Sequence, residues 1–206
     1  WSSDVCSSDL FGLSSRVDLW VLERTLSFLA QHRQRLPGQR FAINLAPSTV
    51  YRAQFPLEVS RLLAKYAVEA WQLIFEVTES SAFGHADLAA STLRKLQKMG
   101  IRIAIDDFGT GYASYARLKS VDADILKIDG GFIRNIVSNS LDYQIVASIC
   151  HLARMKKMLV VAEYVETEEI RSAVHALGID YVQGYLIGLP AELDTLLDTE
   201  PSQESA

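Results

Sequence analysis

The 206-residue chain predicts an α/β fold in which parallel strands are covered by helices. Two observations carry this expectation. Strand-like and helix-like patterns alternate from residue 16 onward, and the strand-like runs are almost wholly apolar, as strands buried on both faces are. The length suits one domain with a sizeable core.

Taken in order, Val17, Leu19, Val21, Leu22, Leu26 and Leu29 belong to a helix that ends before Pro37-Gly38. Phe41-Ala-Ile-Asn-Leu45 is a short strand, and Val59, Leu62, Leu63 and Tyr66 recur at helical spacing. Leu73–Val77 is a strand, and Leu93, Leu96 and Met99 mark a helix stopped by Gly100 as a C-cap. Residues 101–105 form a strand, followed by a Gly109/Gly111 turn and a short helix around 112–119. Ile125–Ile128 is the next strand. A helical region covers roughly 131–154 and is interrupted near Ser138-Asn139. Met158–Ala162 is a strand, Thr167 caps a helix with acids in its first turn, Gly178 ends it, and Tyr181–Gln183 is the last strand.

Bulk properties narrow the function. A net charge of -5 argues against a broad nucleic-acid-binding surface, so DNA is not an expected partner. No apolar run reaches the length of a membrane span. Residues 1–10 show no periodicity and no signal-peptide layout, and resemble the in-frame translation of a short-read sequencing adapter. They are expected to be an artefact, with the domain at 11–194 and a polar tail at 195–206. Outside that segment Cys150 is the only cysteine, in an apolar stretch, which fits a buried thiol and a reducing compartment.

The strand ends hold the chemistry. Asn44 closes the first strand, Glu76 the second with Glu79 three residues on, and Asp106-Asp107 the third. Lys127 and Asp129 mark the fourth, Glu163 the fifth with Glu166 beyond, and Gln183 the sixth. A doubly wound sheet and a β/α barrel both fit six strands. The barrel gains weight because it brings all these positions to one face. Adjacent carboxylates repel unless a cation sits between them, and four carboxylates with an Asn suit a hard divalent ion such as Mg²⁺ or Mn²⁺. Zinc is a poorer match, since His32, His85, His151 and His175 all fall off the pattern.

In that order, Asn44-Leu-Ala, Glu76-Val-Thr-Glu79, Asp106-Asp-Phe-Gly-Thr-Gly-Tyr112, Leu126-Lys-Ile-Asp129, Ala162-Glu-Tyr-Val-Glu166 and Gln183-Gly-Tyr185 resemble the EAL-domain family. The resemblance runs from about residue 16 to Pro190. It implies a modified TIM-type β/α barrel and a bacterial, metal-dependent phosphodiesterase that cuts cyclic di-GMP to linear pGpG. By the same resemblance Asn44, Glu76 and Asp106 would hold one metal, and Asp106, Asp107 and Glu163 a second. Lys127 would hold the attacking water, Glu163 would help to deprotonate it, and Gln183 would help to organise the metal and water network. Glu79 would steady the loop after Asp107. Asp129 could orient substrate or Lys127, and Glu166 either stands behind the ligands or only caps a helix. A homodimer, upstream sensory or cyclase-like domains, and a cytoplasmic location are implied too, with membrane attachment of the parent protein left open.

The chain departs from the family in several places. No Glu-Ala-Leu occurs, the only Glu-Ala being Glu69-Ala70 before Trp71, so the first strand and its metal-binding Glu are expected to be missing. Impaired activity and stability of this chain follow as expectations. Ala46 stands where Ser is usual, Tyr164 where Gly is usual, and Leu189 where a basic residue is common. The alternative reading is an EAL-like module that binds cyclic di-GMP or docks a partner without catalysis.

Overall fold

The computed structural model describes residues 13–84, 86–109 and 122–197. The helix expected near 112–119, His85, and residues 1–12 and 198–206 lie outside them. Helix α1 (Ser14–Gln31) leads to β1 (Phe41–Asn44), α2 (Pro47–Val50), α3 (Phe55–Tyr66) and β2 (Leu73–Thr78). Then come α4 (Glu79–Gly84), α5 (Ala86–Lys98), β3 (Arg102–Phe108), β4 (Ile125–Ile128), α6 (Gly130–Ile133) and α7 (Ser140–Met155). β5 (Leu159–Ala162), α8 (Glu168–Ala176) and β6 (Tyr181–Val182) complete the set, followed by a 3-10 turn at Leu193–Leu197.

The six strands pair in parallel and in sequence order, β1 through β6. A doubly wound sheet reverses its strand order at a switch point; this one does not, which is the arrangement of a curled barrel wall. One side-chain set of the strands, including Ile43, Phe75, Val77, Ile103, Ile105, Leu126, Ile128 and Val160, packs with Leu22, Leu26, Val59, Leu96, Val146 and Val174 of the helices. Each fully buried Leu, Ile or Phe contributes about 1.5–3 kcal/mol, so this layer holds the wall in shape. The alternate set faces the inside of the curl. It is closed at the centre, where Ala104 is buried, and open at the edge, where Tyr181 is 53% exposed.

Register is pinned at the entry ends of the strands by two carboxylates. Asp124 accepts the Ile103 N–H at 2.8 Å and Asp180 accepts the Val160 N–H at 2.7 Å. The caps at Thr167, Gly100 and Gly178 are in place, and the structure adds one at Asn139. Asn139 opens α7 by accepting from Leu141 N–H at 2.9 Å, which explains the interruption near Ser138-Asn139. Thr167 opens α8 by accepting from Ile170 N–H at 3.3 Å. Gly100 and Gly178 follow their helices at φ +100° and +67°. Cys150 is buried, and burial pushes its thiol up to about 11. Among the described residues no helix is long and apolar enough to cross a membrane.

Candidate active site

The exit ends of β2, β3, β4 and β5 converge on Lys127. Its Nζ lies 3.0 Å from Glu76 Oε2, 2.8 Å from Asp106 Oδ1 and 2.8 Å from Glu163 Oε1, with all four side chains largely buried. Register explains the meeting. Lys127 stands opposite Val161, two residues before Glu163, and Glu76 stands opposite Ala104, two residues before Asp106. Side chains two apart on a strand share a face.

That rule would place Asp106 and Asp107 on opposite faces. The structure departs from it at one point. The β3–β4 register shifts between Ile105 and Phe108, and Asp107 takes a left-handed backbone at φ +54°, which Asp tolerates better than most residues. The shift lets one oxygen each of Asp106, Asp107 and Glu163 lie within 4.8 Å of one another. Strand β3 also runs on through both aspartates to Phe108, beyond the expected end at residue 105.

The electrostatics match a cation site. Burial raises the Glu76 and Glu163 carboxyls above their ordinary range, against the pull of Lys127, and repulsion from Asp106 adds to it. Burial raises Asp107 as well, helped by Asp106 and Asp129. For Lys127 burial acts to lower the ammonium, yet Glu76, Asp106 and Glu163 outweigh it and the net shift is upward. The surplus of carboxylates over the single ammonium, all of them oxygen donors, is the condition that a hard divalent ion relieves.

The other expected residues take different places. Asn44 sits at the end of edge strand β1 opposite Glu76, and its turn is held by Asp18, whose carboxylate accepts the Ala46 N–H at 2.8 Å. Gln183 sits at the other edge, its N–H donating to Ala162 O at 2.8 Å. Glu79 is buried and accepts the Gly109 N–H at 3.4 Å, beneath the loop that follows Asp107. Asp129 caps α6 by accepting from Gly131 N–H at 2.8 Å. Glu166 is exposed before α8. Of the histidines, His151 and His175 are exposed on helices and His32 packs on Phe28 with ring centroids 4.7 Å apart.

Periodicity gave no sign of two aromatic contacts around this mouth. Tyr164, directly after Glu163, is left-handed at φ +54°, a conformation that costs a non-Gly residue about 1–2 kcal/mol. Its ring lies under the Arg134 guanidinium, with Cζ 4.0 Å from the centroid. It also covers Gly130, where an added Cβ would fall 2.0 Å from Tyr164 Cδ2. Phe132 covers Gly109 likewise, an added Cβ there falling 2.5 Å from Cε2.

The family model described as EAL domain matches residues 8–190. The chain belongs to the EAL domain family. It is 71% identical over 197 residues to cyclic di-GMP phosphodiesterase PdeF of Escherichia coli strain K12, covering 95% of the chain and 26% of that protein. It is 48% identical over 183 residues to the probable cyclic di-GMP phosphodiesterase PdeA of the same strain, covering 89% and 25%. Among solved structures, the PaMucR phosphodiesterase in its c-di-GMP complex aligns with a TM-score of 0.82 at 37% identity, over 92% of this chain and 77% of that one. The EAL domain of Mycobacterium smegmatis DcpA gives 0.83 at 29% identity, over 90% and 84%. The chain spans about a quarter of the length of the curated relatives it matches. The parallel, curled architecture of this EAL domain is therefore that of its solved neighbours.

Proposed function

We propose that this EAL domain hydrolyses cyclic di-GMP to linear pGpG. The observation that carries the reading is the convergence of Glu76, Asp106 and Glu163 on the Lys127 ammonium at 2.8–3.0 Å, with Asp107 beside them. Asn44, Glu76 and Asp106 would hold one Mg²⁺ or Mn²⁺, and Asp106, Asp107 and Glu163 the other. Such a pair supplies a water of lowered pKa and neutralises charge on the phosphate. Lys127 holds the attacking water, Glu163 takes its proton, and Gln183 orients the network from the strand end next to that of Glu163. A P–O bond forms to the water oxygen as one P–O bond of the ring breaks, and the leaving sugar oxygen gains a proton. Glu79 keeps the loop after Asp107 in place through Gly109, Asp129 orients Lys127 or substrate, and Glu166 stays outside the reacting groups.

The same proposal includes a homodimer, upstream sensory or cyclase-like domains, and a cytoplasmic setting for the longer protein. It also holds that the 206-residue chain turns over slowly, since no Glu-Ala-Leu is present in it. The test is Mn²⁺-dependent conversion of cyclic di-GMP to pGpG by this chain and by a longer form carrying the family's first strand. The longer form should be at least about 100-fold faster, and Asp106→Asn should abolish its activity. The absent Glu-Ala-Leu also favours a second reading, a module that binds without cleaving. Tight binding without turnover by the longer form would select it.

A further inference from the structure

We infer that Tyr164 is a positioning residue: its ring, seated on Gly130 beneath Arg134, fixes the strand end of Glu163 against that of Lys127 and Asp129. The inference rests on the two-metal reading of the site above. At Glu163 the chain is bonded to β4, its N–H donating to Ile128 O at 3.3 Å. Two residues later it is bonded to β6, the Val165 N–H donating to Gln183 O at 3.0 Å. Tyr164 is the residue at which the backbone changes partner, in a left-handed conformation that a side chain resists.

A ring that merely occupied this position would stand free in water and leave the strain uncompensated. This one, 45% exposed, takes two contacts from the neighbouring strand end. Gly130 is a flat seat, because any Cβ there would overlap the ring, and Arg134 one turn later lies over the ring, its Cζ 4.0 Å from the centroid. The same device recurs next door, where Phe132 sits on Gly109 and Gly109 in turn donates to Glu79. Two aromatic-on-glycine contacts therefore join the loops after β3, β4 and β5. Those loops begin at or just beyond Asp107, Asp129 and Glu163. Groups that hold ligands from behind govern the separation on which metal affinity depends.

The test uses the 206-residue chain with Tyr164→Gly and Tyr164→Phe. In EDTA, amide exchange at Gly131 and Phe132 should quicken about tenfold in Tyr164→Gly and stay at the unmutated rate in Tyr164→Phe. Mn²⁺ affinity by calorimetry should fall about tenfold in Tyr164→Gly and be restored within about twofold by Tyr164→Phe. The melting temperature of Tyr164→Gly should not fall, because glycine accepts the left-handed backbone. Unchanged exchange and affinity in Tyr164→Gly, or equal damage from Tyr164→Phe, would overturn the inference, as would affinity loss that tracks a loss of melting temperature. If the unmutated chain binds no Mn²⁺, the two-metal reading fails, and the exchange comparison alone decides whether Tyr164 holds the two loops together.

Discussion

Lys127 and Glu163, from adjacent parallel strands, meet at 2.8 Å with both side chains about nine-tenths buried. The ammonium also contacts Glu76 and Asp106, so a single positive charge offsets several buried carboxylates. Removing it leaves those charges uncompensated. Lys127→Met should cost about 3–5 kcal/mol in EDTA, measured by urea unfolding, and Mn²⁺ should restore most of the loss. Equal stability of the two proteins in EDTA would show that the ammonium is not the counter-charge.

Protonation should stabilise the metal-free chain. Glu76, Asp107 and Glu163 have folded pKa values raised above their ordinary 4.5, 3.8 and 4.5, so between those values and the raised ones the folded state binds more protons than the unfolded. Their contribution to stability is present below pH 4 and is lost as pH rises through the raised values. In EDTA the unfolding free energy attributable to this cluster should fall over the interval in which pH rises from the ordinary carboxyl values through the raised ones. Mn²⁺ affinity should climb over the same interval, because binding displaces protons. A Glu76→Gln, Glu163→Gln double variant should flatten both trends.

Gly184 lets the last strand close against the loop after Glu163. A Cβ there would lie 2.3 Å from Val165 O and 2.4 Å from Val165 N, both backbone atoms that cannot swing aside. Gly184→Ala should therefore destabilise the chain by about 3 kcal/mol and weaken Mn²⁺ binding by moving Gln183. Gly38→Ala, in open space, should do neither.

Asp180 and Asp124 act at the opposite ends of the strands. Asp180→Ala should cost about 1–2 kcal/mol through the lost Val160 bond while leaving Mn²⁺ affinity unchanged. Combined with Asp124→Ala the losses should add, since the two carboxylates bond different strands, β5 and β3.

The alternating fold and the six strands were legible because buried parallel strands are continuous apolar runs, and Lys127 in Ile125–Ile128 was conspicuous against such a run. The strand-end residues were legible for the same reason. Short helices α2 and α4 were not, at four and six residues too brief to show a period. Nor was the irregularity that turns Asp107 toward Asp106, since it depends on how β3 meets β4 and on no local preference of its own. The seats at Gly109 and Gly130 were hidden because each glycine serves an aromatic more than twenty residues away in sequence. Tyr164 stood out only as a departure from a family pattern, and its backbone conformation shows why glycine is the usual occupant.

The order of the sheet carries a consequence for how the site comes into being. Each strand pairs with its predecessor in the chain, one βα unit of roughly 30 residues away, so every closure is short and the wall can grow from β1 onward as the polypeptide emerges. The carboxylates come from β2, β3 and β5 and the ammonium from β4. Until β5 docks, Lys127 has two of its three partners; afterwards the cluster is complete. Assembly of the Lys127 cluster is thus a late folding event, and a ribosome-bound chain stalled before Met158 would hold most of the wall and lack Glu163.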